Sequence, residues 1–198
     1  SLAAVPFTNV IVSYNSIGHL PQLLDDLRRH APGSETIIID NASTDGTAAI
    51  VASQFAWVRL VTNPTNVGYA RAVNQGVALS KNPYIFLLNP DIRILGSDVF
   101  AALFECLLTA PCVAIAGPLQ FKQGSGRPHL NFTWSYWTPR AFELYIRYLL
   151  RGELPKAPPL RVAFLNAGCL FLSRAAYEAV GGLNEKYFLY GEEPDLFL

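Results

Sequence analysis

The chain has 198 residues, 51% hydrophobic and 12% aromatic, enough to bury a core in one domain and too apolar for a disordered chain. Fifteen Lys and Arg balance fifteen Asp and Glu, and a net charge of zero argues against a nucleic-acid binder working through a general basic field. Cys106, Cys112 and Cys169 have no CxxC spacing, which argues against a disulfide framework or a zinc site and suits reduced, cytosolic thiols.

Residues 9–14 read as a buried strand, because Ile and Val run continuously rather than alternating. Residues 19–30 place Leu20, Leu23, Leu24 and Leu27 at helical spacing, with Asp25, Asp26, Arg28 and Arg29 on the opposite face. A second strand is expected over 35–40, then a helix over 46–55 capped by Ser43 or Thr44. Strand 57–62, helix 68–81, strand 84–88, helix 97–108 capped by Ser97, and strand 113–116 follow. This alternation predicts βαβ units, right-handed crossovers and a mostly parallel sheet.

The regularity stops near Gln120. Residues 121–160 hold five prolines and two tryptophans and read as an inserted acceptor-side flap within a single domain over 1–198. Inside it, Thr138-Pro139 opens a helix to about Leu150. Arg140, Arg147 and Arg151 share a face there among aromatic residues. Such a face either makes peripheral contact with an anionic membrane or is a solvated surface over a packed aromatic stripe. A strand over 162–172 and a helix over 174–180, stopped by Gly181-Gly182, complete the pattern.

No apolar run reaches the roughly 18 residues of a membrane span. The first residues lack the basic and long apolar regions of a signal peptide. The chain contains no Met, and Leu198 falls just after a polar motif where a helix begins, so the natural protein is expected to continue.

Apolar runs in this chain end in polar clusters: Ser13-Tyr14-Asn15, Asp40-Asn41-Ala42-Ser43-Thr44-Asp45-Gly46, Asn89-Pro90-Asp91, and Gly191-Glu192-Glu193-Pro194-Asp195 near the C-terminus. The carboxyl ends of strands in open α/β sheets are where ligands bind. Asp40 can accept from an N–H or O–H of a base or ribose, or else it closes an Asx-turn. Asp45 either joins the site or caps the following helix. Gly68 permits close backbone approach at a helix start that favours phosphate, and Arg71, one turn inside, can pair with diphosphate oxygens or stay solvated.

These pieces, with Asn66-Val67-Gly68-Tyr69-Ala70-Arg71-Ala72-Val73-Asn74-Gln75-Gly76 and Val180-Gly181-Gly182-Leu183-Asn184-Glu185, occur in an order that resembles family 2 glycosyltransferases. The bacterial rhamnosyltransferase-like branch is the most similar. The resemblance covers about residue 8 to the end. It implies an α/β GT-A fold and inverting transfer from a dTDP- or UDP-sugar. Mg2+ or Mn2+ would be the cofactor, and the acceptor a glycan or lipid-linked molecule of cell-surface polysaccharide synthesis. It implies work in the cytoplasm, with peripheral contact at the inner face of the plasma membrane.

The resemblance places nucleotide and sugar around Tyr14, Asn15, Asp40, Asn41, Asp45, Gly68, Arg71, Asn89 and Asp91. Asn89-Pro90-Asp91 matches the family's metal-binding DxD position with Asn as its first residue, so Asp91 is the expected metal ligand. One carboxylate suffices where substrate phosphates complete the shell. Glu193 stands where the family's general base is an Asp, which leaves the base between Glu192 and Glu193, and Asp195 is read as a helix-start anion or an acceptor contact.

Three other readings are open to comparison. A sugar-1-phosphate nucleotidyltransferase would need a Gly-rich basic loop where this chain has Ser13-Tyr14-Asn15-Ser16, and a nicotinamide dehydrogenase would need a GxGxxG after a strand. A catalytically degenerate nucleotide-sugar-binding module would explain the two departures from the acidic pattern.

Overall fold

The computed structural model describes residues 6–109, 113–118, 120, 165, 168–189, 195 and 196. The flap expected over 121–160, its Arg140–Arg147–Arg151 face, and Glu192 and Glu193 lie outside the described residues. Six strands form one sheet: β1 (Phe7–Ser13), β2 (Glu35–Asp40), β3 (Arg59–Thr62), β4 (Tyr84–Leu88), β5 (Ile115–Ala116) and β6 (Cys169–Ser173). Among the described residues five helices accompany them: α1 (Leu20–His30), α2 (Thr47–Gln54), α3 (Tyr69–Leu79), α4 (Asp98–Thr109) and α5 (Arg174–Ala179).

The sheet order is β3-β2-β1-β4-β6-β5. β1 pairs in parallel with β2 and β4, and β2 with β3, while β6 runs antiparallel to both β4 and β5. The mostly parallel expectation therefore holds, with β6 reversed.

The continuous apolar strands arise because both faces of the sheet are covered. Ile11, Ile38, Phe86, Leu88 and Phe171 face α1, α2 and α4. Val10, Val12, Ile37, Ile39, Ile85, Leu87, Leu170 and Leu172 face α3 and α5. On the first face, Phe100 and Phe104 of α4 pack edge-on against Phe86 and Phe171, with ring centroids 5.5 and 4.6 Å apart.

On the second face, Gly76 lets α3 lie directly on β1: a Cβ there would overlap Val10 Cγ1. The chain leaves β1 outward through β2 and β3, then returns to β4 on β1's other side. The carboxyl ends of β1 and β4 thus flank a topological switch point, where such sheets take ligands.

Three sequence readings are corrected. Asp26 is not on a solvent face but 1% exposed. Neither Ser43 nor Thr44 caps α2: its N-cap is Gly46, which has no side chain to cap with, and Asp45 just before it accepts from the Thr47 N–H at 2.9 Å. The third strand is shorter than 57–62, since residues 57 and 58 precede β3 as a turn.

Candidate active site

Register fixes what meets at the switch point. Ser13 is level with Asp40 on one side, and Ile11 with Leu88 on the other. The clusters after β1, β2 and β4 therefore open on one edge of the sheet.

Asp40, 2% exposed, is held from two directions. Its Oδ1 accepts from Ser13 Oγ at 3.0 Å and its Oδ2 from the Ser43 N–H at 2.9 Å, closing the Asx-turn. Asn15 bridges the first two loops: its N–H donates to Ser43 Oγ at 2.9 Å, and its Oδ1 accepts from the Thr44 N–H at 2.8 Å.

Asp45 ties the same loops from outside, its Oδ2 accepting from the Ile17 N–H at 3.0 Å. The Thr47 hydroxyl, with these backbone N–H groups, holds the Asp45 carboxyl below its ordinary value. Asn15 and Ala42 adopt left-handed φ of +49° and +65°, which places the two non-glycine strains of the described backbone at these strand ends. Tyr14 stands on the rim, more than half exposed.

Asn41 is fully engaged by the protein. Its Nδ2 donates to Asn66 Oδ1 and the Gly68 carbonyl at 3.0 and 3.2 Å, and its Oδ1 accepts from Asn63 Nδ2 and the Val67 N–H at 3.0 and 3.2 Å. It holds the loop that leads into α3.

Gly68 has φ +87°, and a Cβ there would stand 2.8 Å from the Phe188 carbonyl oxygen. The same oxygen accepts from the Tyr69 N–H at 2.8 Å. The chain's own backbone thus comes close to this glycine. Arg71 is largely exposed and lies 3.7 Å from Glu185 Oε2, a distance at which an exposed pair holds the guanidinium weakly.

After β4, the Asn89 N–H donates to the Gly168 carbonyl at 2.9 Å and its own carbonyl accepts from the Ile92 N–H at 3.2 Å, so the chain turns sharply at Pro90-Asp91. Asp91 is exposed, and its carboxylate has no hydrogen bond or ion pair with another described residue. Among the described residues no three His, Cys, Asp or Glu cluster to enclose a metal. One exposed hard carboxylate at a strand end still suits Mg2+ or Mn2+ that takes most of its oxygens from a diphosphate. Asp195 accepts from Asn184 Nδ2 at 3.0 Å, so its carboxylate is tied to the chain before the acidic motif.

The sequence missed the device that sets Asp91's loop. Arg93 donates from Nε and Nη2 to Asp26 Oδ2 and Oδ1 at 2.7 and 3.2 Å, and the Ile94 N–H donates to the same carboxylate at 3.1 Å. This two-pronged grip fastens the strand-end turn to α1. Burial raises the Asp26 pKa, but Arg93, the Ile94 amide and Arg29 outweigh it and hold the carboxyl below its ordinary value. Arg93 follows Asp91 by two residues, which is the one signal the sequence offered.

Residues 8–181 match the model of glycosyl transferase family 2. The chain belongs to that family. Its expected GT-A fold is borne out by likeness to solved glycosyltransferases. One is the mannosyltransferase PcManGT from Pyrobaculum calidifontis in complex with GDP-Man and Mn2+, with TM-score 0.71 at 17% identity over 98% of this chain and 52% of that one. Another is S. aureus TarS 1–349 with UDP, with TM-score 0.67 at 16% identity over 97% of this chain and 54% of that one.

In sequence, the chain is 28% identical to the N-acetylglucosaminyl-diphospho-decaprenol L-rhamnosyltransferase of Mycobacterium tuberculosis, over 94% of this chain and 67% of that protein. The chain spans about half the length of the two solved structures. No helix among the described residues is long and apolar enough to cross a membrane.

Proposed function

We propose that this glycosyl transferase family 2 chain moves a sugar, with inversion, from a dTDP- or UDP-sugar to a lipid-linked glycan acceptor in cell-surface polysaccharide synthesis. The observation that carries the reading is the exposed Asp91 carboxylate at the switch point, unbonded to any other described residue, on a turn fastened to α1 by Asp26 and Arg93. The mycobacterial relative, whose name specifies L-rhamnose transfer to a diphospho-lipid, supports rhamnose as the sugar and a lipid-linked acceptor.

Asp91 would hold a divalent cation together with the donor's phosphates, and that ion supplies positive charge to the departing diphosphate. Ser13 and Ser43 fix Asp40 so that its remaining lone pairs accept from the nucleoside, while Tyr14 covers the base from the rim. Asn15, Asn41 and Asp45 hold the loops that shape this cradle. Arg71 exchanges Glu185 for the diphosphate.

Glu193, or its neighbour Glu192, takes the proton from the acceptor hydroxyl. The hydroxyl oxygen bonds to the anomeric carbon from the face opposite the diphosphate, and the carbon–oxygen bond to the diphosphate breaks. Orientation and charge stabilisation carry most of the acceleration, with general-base help of roughly 10²–10⁴-fold.

The test uses dTDP-rhamnose and an N-acetylglucosaminyl-diphospho-lipid acceptor, reading dTDP release and product. Asp91→Ala is expected to abolish metal-dependent turnover, and full activity in that variant refutes the assignment. Glu193→Gln is expected to cut turnover while nucleotide binding persists. If only Glu192→Gln does so, the base is the other neighbour. If metal-dependent nucleotide binding occurs without transfer, the degenerate binding module is the better account.

A further inference from the structure

The turn that carries Asp91 is pinned on both sides. Before it, the Asn89 N–H donates to the Gly168 carbonyl at 2.9 Å, which ties the end of β4 to the residue that leads into β6. Pro90 then fixes one backbone angle. After Asp91, two consecutive residues reach the buried Asp26 of α1. Arg93 donates from Nε at 2.7 Å and from Nη2 at 3.2 Å, and the Ile94 N–H donates at 3.1 Å. Arg93 Nη1 donates to Gln22 Oε1 at 3.1 Å, one turn earlier on the same helix.

These bonds fix different things. The Ile94 amide sets the path of the chain, and the guanidinium fork sets its orientation. Ile94 is 5% exposed, in the core cluster that holds Leu20, Leu23, Leu24 and Leu27 of α1, so apolar packing draws the same segment to the same side. With Nε, Nη1 and Nη2 all donating to α1, the guanidinium is turned to that helix, and Asp91, two residues away, is not its partner.

Stability alone is a poor reason for this arrangement. Two charges lose water to form a buried pair, and apolar side chains of similar volume often hold such a contact as well or better. What the pair adds is direction, since a two-pronged grip admits one orientation while apolar packing tolerates several. Direction matters for a metal ligand. Mg2+ accepts oxygens only in near-octahedral geometry at about 2.0–2.1 Å.

We propose that Asp26 is a positioning residue for the donor's metal: from α1 it fixes the turn over 89–94 so that Asp91 meets the cation in one geometry. The proposal rests on the reading that Asp91 is the metal ligand. It brings α1 into the donor site through the turn that it holds.

The test is calorimetric titration of the full chain with UDP and with dTDP, without metal and with Mn2+. The quantity read is the Mn2+ gain, the ratio of the two Kd values for the nucleotide that binds. Groups that orient a metal ligand are typically worth about 10–100-fold in metal affinity. Asp26→Asn keeps the shape of the side chain and weakens its hold on the fork. It is expected to lower the Mn2+ gain about tenfold, while the Kd without metal stays within about twofold of wild type. A residue that only stabilises the fold would lower Tm and leave the Mn2+ gain of the folded protein unchanged. That result overturns the proposal.

Asp25→Asn removes the same charge one residue away, from an exposed side chain paired with Arg28. Its Mn2+ gain should stay within about twofold of wild type. A loss equal to that of Asp26→Asn would mean that the cation feels net charge and not geometry, and overturns the proposal too. If Asp26→Asn does not fold, Arg93→Lys keeps the charge and removes the fork. Its expected loss is about three- to tenfold in Mn2+ gain at constant Kd without metal, and an unchanged gain overturns the proposal equally.

Asp91→Ala separates the two claims. If it keeps the Mn2+ gain, the ligand assignment fails and the proposal with it. If it loses the gain while Asp26→Asn keeps it, the role of Asp26 alone fails. In the double variant, Asp26→Asn should add no further loss to that of Asp91→Ala, because it acts through that carboxylate. A further loss as large as in the single variant overturns the proposal.

Discussion

Replacing Asp26 by Asn tests the fastening of the strand-end turn. The wild-type carboxylate is 2% exposed and accepts two hydrogen bonds from Arg93 and one from the Ile94 amide, with Arg29 at 3.5 Å. Asn keeps the shape but loses the charge and presents an N–H₂ to donors. Removing one partner of a fully buried pair costs about 3–5 kcal/mol. Arg93 is 39% exposed and regains water when released, which moves the expected loss down to about 2–3 kcal/mol.

For a domain of this size that corresponds to a fall in Tm of roughly 4–12 °C. Urea unfolding followed by far-UV circular dichroism, at a series of pH values, reads the difference. Because the folded-state pKa of Asp26 is lowered, its contribution is complete above the unfolded value near 3.8. The contribution disappears as pH falls through the folded value. The gap between wild type and Asp26→Asn should therefore be constant from pH 5 to 7 and close below about pH 3.8. A gap under about 0.5 kcal/mol at pH 6, or one that persists undiminished in acid, refutes the clamp.

Gly76→Ala places a methyl group against Val10, which is 1% exposed and has nowhere to go, so urea unfolding should show a loss of about 1–3 kcal/mol. Adding Val10→Ala should recover part of that loss. No loss would mean that α3 does not lie on β1 as described. Ala42→Gly should reverse the usual order for this exchange. Relief of the +65° φ outweighs the added freedom of the unfolded chain, giving up to about 1 kcal/mol of stabilisation by the same measurement. A destabilisation beyond about 0.5 kcal/mol would contradict the strained turn.

The sheet was legible because its signal is local. Continuous Ile and Val in β1 and β2, and Tyr84–Leu88 for β4, state burial on both faces without reference to anything distant. The direction of β6 was not legible: Cys169–Ser173 reads the same whether it runs with β4 or against it.

Asp26 was misread for a related reason. Its neighbours Asp25 and Arg28 do form an exposed pair, and the partner that buries Asp26 is Arg93, far along the chain. Gly68 was recognised as a position needing close approach, but only the fold brings Phe188 to it. Asn74 sat unremarked within a quoted motif because its partners, Leu183 and Glu185, lie more than 100 residues away.

The central claim is that Asp91 completes a metal-dependent donor site. Calorimetric titration of UDP and of dTDP into wild type and Asp91→Ala, with and without Mn2+, tests it most directly. The account predicts that one nucleotide binds wild type with an affinity that Mn2+ strengthens at least about tenfold, and that Asp91→Ala loses this gain. Binding that ignores Mn2+, or an Asp91→Ala variant that titrates as wild type does, would contradict it.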